Sequence, residues 1–460
     1  MENKKQQWSS SIGFILASAG SAAGLGNIWK FPARAYEGGG GVYLLVYILI
    51  VIFLGAPLMI TETSLGRYTG KNAVAAYKSI NKKWAIAGYF GVATGFLVSC
   101  YYIQLGGWVM RYFVAYLFES AKLFSAPDVF FYNMLGSNGF PFLSAVFYPI
   151  LFLGVCIFVI LKGVSGGIEK FSFYVMPVFF ILLIVLLVRS VTLPGALEGV
   201  KYMLSFDITK FSFSSLLSAL GQAFYSLSVG LGVMITYGAY LKKDCNIPKD
   251  TAFICLFDTA VAVAASFIII PAVFAANTPA GSGGSFVFIS LAGVFESMPF
   301  GSLFGALFYL LLFFAAVTSE ISIFETVLVF AENELKFERK KTTAALSAIM
   351  LFVGALYTLS QLYLPLKALW FDVSDGLRLV SFGDFIELFT DRFTIPIGAF
   401  LSCVFAGFVW KKENALKEIE CGAKNGFRFK NYWLFTIRYI APICVFVIFV
   451  CGMFFGVSVS

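Results

Sequence analysis

The chain alternates long apolar runs with short polar segments along its whole length. Runs of about 20 or more apolar residues recur, and each is long enough to cross a bilayer core of roughly 30 Å as a helix. Eleven spans are predicted, centred near residues 23, 53, 102, 152, 180, 228, 263, 317, 353, 398 and 444. The pattern predicts an all-α integral membrane protein without a soluble domain.

Composition and charge agree with a membrane class. Apolar residues make up 59% of the chain and charged residues only 13%, which lies outside the range of soluble globular proteins. With the amino terminus placed inside, the inner segments hold 22 of the 33 Lys and Arg and the outer loops about 7. We therefore predict a multi-pass plasma membrane protein with its amino terminus inside and its carboxyl terminus outside. The net charge of +8 reflects this topology and not a nucleic-acid partner.

The sequence lacks the residue arrangements that catalytic sites usually need. It contains no histidine, which excludes imidazole metal sites and Ser/His catalytic pairs. Its eight cysteines fall in apolar runs or inner segments, as expected of free thiols. The intramembrane acids are scattered along the chain and do not form a convergent set. We predict that the protein is not an enzyme, with no catalytic residue and no organic cofactor.

Two spans are interrupted by glycine where an unbroken helix would be safest. Residues 20–32 read GSAAGLGNIWKFP, and residues 221–240 read GQAFYSLSVGLGVMITYGAY. The triplet Gly24, Leu25, Gly26 thus recurs as Gly230, Leu231, Gly232, five spans later and with opposite membrane polarity. Paired interruptions in inverted halves point to a transporter binding site. The unwound turns free backbone groups that a cation and an anionic group of a substrate can satisfy.

Five segments resemble the neurotransmitter:sodium symporter family, whose bacterial members include LeuT. They are GSAAGLGNIWKFP, MITETSLGRYTG, SCYYIQLGGW, GQAFYSLSVGLG and LLFFAAVTSEIS, at matching spacing over nearly the whole chain. The resemblance implies the LeuT-type fold, an inverted repeat of two five-helix units in which helices 1 and 6 are broken. The predicted units are 1–190 and 191–411, followed by a cytoplasmic loop and an eleventh helix in 412–460. Many relatives have a twelfth span, which is missing here.

The resemblance also implies two sodium sites, one at each broken region. Site one would use the Ala22 carbonyl and the side chains of Asn27, Ser226 and Asp258. Site two would use the carbonyls of Gly20, Ala23 and Ala315 and the hydroxyls of Thr318 and Ser319. Hard oxygen ligands suit an alkali cation. The residues alone leave an alternative open, in which Thr318 and Ser319 bond to carbonyls of their own helix.

Asp258 distinguishes this chain from relatives that commonly carry asparagine at that position. An acid inside a span is expensive and functional by default. Tyr47, Gln222 and Ser226 match the usual neighbours of a chloride ion in chloride-dependent relatives, but Ala262 stands where those relatives have serine. A fixed carboxylate could supply the missing negative charge, so we predict transport that needs no chloride.

The substrate is predicted from what the site lacks. Amine-transporting relatives carry an aspartate at the position of Gly24, so a substrate with its own carboxylate, an L-amino acid, is implied. The implied pocket consists of Ser21, Ala22, Leu25, Gly26, Val98, Tyr102, Tyr225, Ser226, Ser228, Leu231, Ser319 and Ile323. No formal charge faces the ligand unless Glu320 turns inward, which favours a hydrophobic or aromatic side chain. Ordinary helix packing would give the same apolar pattern, and a non-transporting amino-acid sensor on this fold would carry the same residues.

Gates are implied on both sides of the pocket. Tyr102 and Tyr225 would form the outer lid, beneath a charged pair of Lys30 and Glu387. The alternative for Lys30 is that it extends to the membrane interface.

At the inner face, Lys5 and Trp8 resemble the family latch. The usual aspartate partner of that latch is replaced by Asn333, and either Glu332 or Glu334 could substitute.

Two further acids, Glu62 and Glu325, resemble family positions that brace helices 1 and 6. A proton pathway is the competing interpretation of these acids.

Overall fold

The computed structural model describes residues 6–276, 286–372, 376–423 and 426–454. Within these ranges, nine helices are long and apolar enough to cross a membrane, and a bent helix pair makes a tenth span. The bent pair is α1 (Ser11–Ala22) and α2 (Leu25–Glu37), whose axes differ by 52°. The inner and outer faces are those of the predicted orientation, in which the amino terminus lies inside.

The continuous spans of the described chain follow the bent pair, and a second helix pair lies between the fourth and the fifth of them. They are α3 (Gly41–Thr69), α4 (Lys82–Phe118), α5 (Leu143–Ile160), α6 (Val164–Val191), α9 (Ile247–Ala276), α10 (Gly301–Glu334), α11 (Arg339–Leu362), α12 (Phe382–Val409) and α13 (Lys430–Phe454). Several contain a π-helical turn, for example Val51–Gly55 in α3 and Thr390–Thr394 in α12.

The second pair consists of α7 (Phe213–Ser226) and α8 (Val233–Ala239), separated by residues 227–232. Three residues of this gap have positive φ: Ser228 at 54°, Gly230 at 83° and Gly232 at 75°. Glycine adopts such angles without steric cost, which explains why the chain unwinds at the second glycine triplet. Counted as one interrupted segment, this pair completes eleven membrane segments in the described chain, in agreement with the sequence pattern.

Shorter elements cover the two faces. On the outer side lie helices Ser120–Ser125, Pro127–Leu135, Ala196–Leu204 and Leu291–Glu296, the last preceded by a π-helical turn at Phe286–Ser290. A hairpin of β1 (Lys367–Asp372) and β2 (Gly376–Ser381) joins α11 to α12. On the inner side lie Ala73–Ile80 and Lys412–Glu420. The predicted unit boundaries fall at the end of α6 and at the start of Lys412–Glu420, and the division into these units stays a prediction.

The two interrupted spans lie at the centre, where their buried residues meet α4, α9 and α10. Helices α3 and α8 approach so closely that a methyl group added at Gly66 would lie 1.9 Å from the Ile235 carbonyl oxygen. Such contacts hold the half-helices in place without regular backbone hydrogen bonds across the gaps. The interrupted region is therefore a packed, polar cavity wall rather than a lipid-exposed loop.

Candidate ion and substrate site

The gap between α1 and α2 is stabilised by few hydrogen bonds. The Gly24 N–H donates to the Ala22 carbonyl over 2.7 Å, and the Leu25 N–H donates to the Tyr102 hydroxyl over 3.1 Å. Tyr102 on α4 therefore binds one of the N–H groups that the start of α2 leaves unsatisfied. The beginning of α2 is a positive helix end that faces the centre of the protein, where an anionic group would be stabilised.

The gap between α7 and α8 is held by a carboxylate. Glu62 on α3 is buried, and its Oε1 accepts hydrogen bonds from the Gly230 N–H at 3.0 Å and from the Ser402 hydroxyl at 2.9 Å. The buried carboxylate of Glu62 thus accepts a hydrogen bond from a backbone N–H that, in an unbroken helix, would donate to a carbonyl of the preceding turn. This geometry favours the bracing interpretation of Glu62 for the second interrupted span, and its proton-pathway alternative stays untested.

The residues predicted for sodium site one converge from three helices. The Asn27 amide donates to Asp258 Oδ1 over 2.7 Å, and the Ser226 hydroxyl lies 2.5 Å from the same oxygen and 3.0 Å from Asn27 Oδ1. Tyr47 donates to the other carboxylate oxygen over 3.2 Å. Asp258 is 0% exposed, so its donors replace water completely. The fourth predicted ligand, the Ala22 carbonyl, accepts the Gly24 N–H.

The residues predicted for sodium site two lie at the end of α1 and in the middle of α10. The Ser319 hydroxyl lies 3.0 Å from the Ser21 carbonyl and 3.4 Å from the Gly20 carbonyl, so it reaches across to α1. Thr318 instead bonds within its own helix, to the Phe314 and Ala315 carbonyls at 2.9 and 3.1 Å. In this structure the back-bonding alternative thus describes Thr318 and not Ser319. Ala23 is buried beside them.

Several of the predicted pocket residues lie close together between the two gaps. A methyl group added at Gly24 would lie 2.9 Å from Ser319 Oγ and 3.1 Å from the Tyr102 hydroxyl. The Ser21 and Ser228 hydroxyls are 3.4 Å apart. Glycines also approach other predicted pocket residues. A methyl group added at Gly26 would lie 3.4 Å from Tyr225. A methyl group added at Gly95 would lie 3.5 Å from Ile323 and 3.9 Å from the Leu231 carbonyl oxygen. Leu25 and Val98 are buried within the same core.

Sequence reasoning missed one polar residue of this region. The hydroxyls of Ser21 and Ser322 are 2.6 Å apart, and Ser322 lies one turn after Ser319 on the same face of α10. The helical spacing of three residues was the available signal.

The predicted pairing of Lys30 with Glu387 needs correction. The Lys30 ammonium lies 3.3 Å from Asp391 Oδ2, whereas Glu387 accepts a hydrogen bond from the Tyr357 hydroxyl at 2.5 Å. The two acids are four residues apart, so both point to the same side of α12, and the lysine binds the second one directly. A cavity of about 280 Å³ lies over the pocket and is lined by Tyr102, Tyr225, Lys30 and Glu387 among others.

Charge reversal can test which acid holds Lys30. The variant Lys30→Asp is expected to lower uptake at least about tenfold, because it places three acids together in a partly buried site. Adding Asp391→Lys should recover much of that uptake. The matched control, Lys30→Asp with Glu387→Lys, should recover little, since Glu387 is engaged by Tyr357. Equal recovery in both double variants, measured as initial uptake rates, would contradict the observed pairing.

At the inner end, Trp8 is buried, and its indole N–H donates to the Tyr237 carbonyl over 2.9 Å. Lys5 lies outside the described residues. Both acids considered as its partner have other cations nearby: Glu332 lies 3.0 Å from Arg339, and Glu334 lies 3.4 Å from Lys78.

Asn333 lines an inner cavity of about 540 Å³ together with Glu332 and Arg339. Glu325 is buried below the pocket and accepts hydrogen bonds from Arg339 at 2.6 Å and from the Tyr240 hydroxyl at 3.1 Å. It therefore joins α10 to the loop after α8. This contact favours the bracing interpretation of Glu325, and its proton-pathway alternative also stays untested.

Comparison with known proteins gives one consistent result. The model of the sodium:neurotransmitter symporter family matches residues 5–123 and 133–456. The chain is similar to the uncharacterized sodium-dependent transporter YhdH of Bacillus subtilis (36% identical, covering 97% of this chain and 98% of the relative). It is also similar to an uncharacterized sodium-dependent transporter of Haemophilus influenzae (32% identical, covering 98% and 99%).

Among solved structures, the chain matches MhsT in complex with L-phenylalanine, with a TM-score of 0.85 and 32% identity over 97% of this chain and 99% of that one. This match confirms the predicted LeuT-type fold of an all-α membrane protein. The relatives are transporters rather than enzymes. On the family match and these relatives, the chain belongs to the sodium:neurotransmitter symporter family.

Proposed function

We propose that this membrane protein is a sodium-coupled symporter that imports a hydrophobic or aromatic L-amino acid by alternating access, with two sodium ions per substrate and no need for chloride. The observation that carries the proposal is the convergence of Asn27, Ser226 and Asp258 at the two interrupted spans. It supplies oxygen ligands of the kind that alkali cations prefer. The Ser319 hydroxyl and the carbonyls of α1 supply a second set.

An amino-acid substrate is supported by the chemistry of the cavity wall. A carboxylate would meet the positive start of α2 and the Tyr102 hydroxyl, while no aspartate stands at Gly24 to replace it. The apolar walls of Val98, Leu231 and Ile323 suit an uncharged side chain. The similar protein MhsT has been solved in complex with L-phenylalanine, which agrees with a substrate of this class.

Two ions provide enough free energy for strong accumulation. Two charges that move down 100 mV release about 4.6 kcal/mol. A tenfold sodium gradient adds about 2.8 kcal/mol for the pair, at about 1.4 kcal/mol per tenfold ratio. Together these terms support an accumulation of more than about ten-thousand-fold, whereas one ion would give only the square root of that ratio.

Uptake by purified protein in proteoliposomes tests the proposal. With a panel of radiolabelled amino acids, an inward sodium gradient is expected to drive uptake of hydrophobic or aromatic members. Potassium or choline in place of sodium should leave only background, and an Asn27→Ala variant should need at least about tenfold more sodium, because it removes a ligand from a buried cation. Counterflow separates transport from sensing, since a sensor would bind the amino acid without exchanging it. Uptake that persists unchanged without sodium would refute the proposal.

A further inference from the structure

The outer hairpin of β1 and β2 exposes an apolar face. Its cross-strand pairs Leu369–Leu379 and Phe371–Leu377 lie next to each other on that face, and each of the four side chains is 52–66% exposed. Side chains of directly opposite residues in antiparallel strands are in contact, so the four form one contiguous apolar patch. Contiguous patches of this kind mark interaction sites on protein surfaces.

The opposite face of the hairpin packs against α12. Trp370 is 5% exposed, and its ring lies 6.0 Å from that of Phe385 in the first turn of α12. Successive side chains of a strand point to opposite faces. The apolar patch therefore points away from α12.

The neighbours of the hairpin place it at the lipid-facing edge of the protein. Besides α12, strand β1 contacts α13, in which only 33% of the apolar window is buried. Phe393 of α12 meets Phe449 of α13 with ring centroids 5.9 Å apart, so the two helices are adjacent. Ile443 and Phe446 of α13 are more than half exposed, as expected of residues that face lipid. The hairpin thus lies at the outer end of a helix pair whose surface meets the bilayer.

The depth of the hairpin follows from the length of α12. Its 28 residues extend about 42 Å, close to the roughly 40–45 Å of a bilayer with both headgroup layers. The helix therefore begins near headgroup level, at Phe382. Trp370 contacts Phe385, about one turn deeper, so the hairpin folds back over the start of the helix and does not extend away into solvent.

Lipid suits the apolar patch better than a second copy of the chain. Four side chains that are little more than half exposed offer on the order of 400 Å², whereas a stable protein interface buries about 800 Å² on each partner. Lys367 lies on the same face, two residues before Leu369, and is exposed. A lysine beside apolar side chains matches the headgroup layer, where its ammonium group reaches lipid phosphates.

We propose that the apolar patch is an interfacial anchor that inserts into the headgroup layer of the adjacent bilayer leaflet, with Lys367 at the lipid phosphates. The anchor holds the start of α12 at a fixed depth. Because α12 carries Asp391, which pairs with Lys30, the lipid contact supports one side of this charged pair. The inference goes beyond the proposed function and does not depend on it.

Quenching of an added tryptophan by lipid tests the proposal. Leu377→Trp and Leu379→Trp are each reconstituted into liposomes as monodisperse protein and compared with the wild type, whose seven tryptophans supply the background. In liposomes of 6,7-dibromo phosphatidylcholine the added emission should fall by at least about half, because an interfacial apolar face lies about 5–10 Å deep, within reach of the bromine atoms. Iodide in the buffer should have little effect. Arg378→Trp is the matched control, since it adds the same ring between the two test positions but on the opposite face, and its loss should be less than about half as large.

Three results would overturn the inference. Quenching of both test positions by iodide and not by brominated lipid would show that the apolar patch faces water. Equal quenching of the control would show that lipid contact is not specific to this face. A disulfide between two copies of Leu379→Cys, absent from the wild type, would assign the patch to a second copy of the chain. None of these measurements uses transport, so they leave the proposed sodium-driven uptake to be decided by its own assays.

Discussion

Replacement of Asp258 by asparagine is expected to make uptake depend on chloride. In the proposed cycle, two sodium ions and a zwitterion bring a double positive charge to a buried site. The Asp258 carboxylate is 0% exposed and lies next to two predicted ligands of site one. A single charge pair at about 4 Å is worth about 4 kcal/mol at an effective dielectric constant of 20. Without the carboxylate, a mobile anion has to supply that stabilisation. Asparagine keeps the shape and one side-chain oxygen, so the predicted sodium ligand is retained while the negative charge is lost.

The experiment compares initial uptake rates in chloride and in gluconate at constant sodium. The wild type should be equally fast in both, whereas Asp258→Asn should lose at least about tenfold in gluconate and recover as chloride is added. Ala262→Ser is the matched control, because it adds the hydroxyl of chloride-dependent relatives but keeps the carboxylate, and it should remain insensitive. The double variant, Asp258→Asn with Ala262→Ser, should recover its uptake at a lower chloride concentration than Asp258→Asn alone. Collapse of wild-type uptake in gluconate would show that the carboxylate does not play this part.

The sequence made the central features of the fold predictable because they arise from local chemistry. A Gly-Leu-Gly triplet weakens a helix wherever it occurs, so both interruptions could be located without a structure. A buried acid such as Asp258 needs partners, and the structure supplies them as Asn27, Ser226 and Tyr47.

Features that depend on the packing of distant helices were harder to predict from the sequence. Glu387 and Asp391 occupy the same side of one helix, so spacing could not decide which of them binds Lys30. The structure shows the reason: the Tyr357 hydroxyl of α11 donates a hydrogen bond to Glu387, and Lys30 pairs with Asp391 instead. Likewise, the sequence indicated that Glu62 braces a helix, but only the structure shows that its partner is the Gly230 N–H.

The outer hairpin was also missed. Its strands pair Leu369 with Leu379 and Phe371 with Leu377, and these side chains are exposed, so the usual burial pattern that identifies a strand is absent. Trp370, on the opposite face, is buried against Phe385. The packing of Trp370 against Phe385 thus positions a hairpin whose sequence has little of the alternation of apolar and polar residues that would predict it.

Gly66→Ala is expected to be among the most destabilising single substitutions in the chain. The added methyl group would lie 1.9 Å from the Ile235 carbonyl oxygen and 2.9 Å from the Ala239 nitrogen, and both of these are backbone atoms of α8. No rotamer change can relieve such a clash, so α3 and α8 have to separate. Gly238 makes the reciprocal approach, since a methyl group there would lie 2.3 Å from the Thr63 carbonyl oxygen. Overpacking of this kind costs about 3 kcal/mol.

Thermal unfolding in detergent, followed by the loss of monodisperse protein, measures the effect. Gly66→Ala should lower the midpoint by about 5 °C, and uptake should fall as well, because α8 is the inner half of an interrupted span and its displacement would also shift the Gly230 N–H from Glu62. Gly154→Ala is the matched control: no heavy atom lies within 4 Å of a methyl group at that position of α5, and its midpoint should change by less than about 1 °C. Equal stability of the two variants would mean that α3 and α8 are not in backbone contact, and the inner half of the second interrupted span would then need another support.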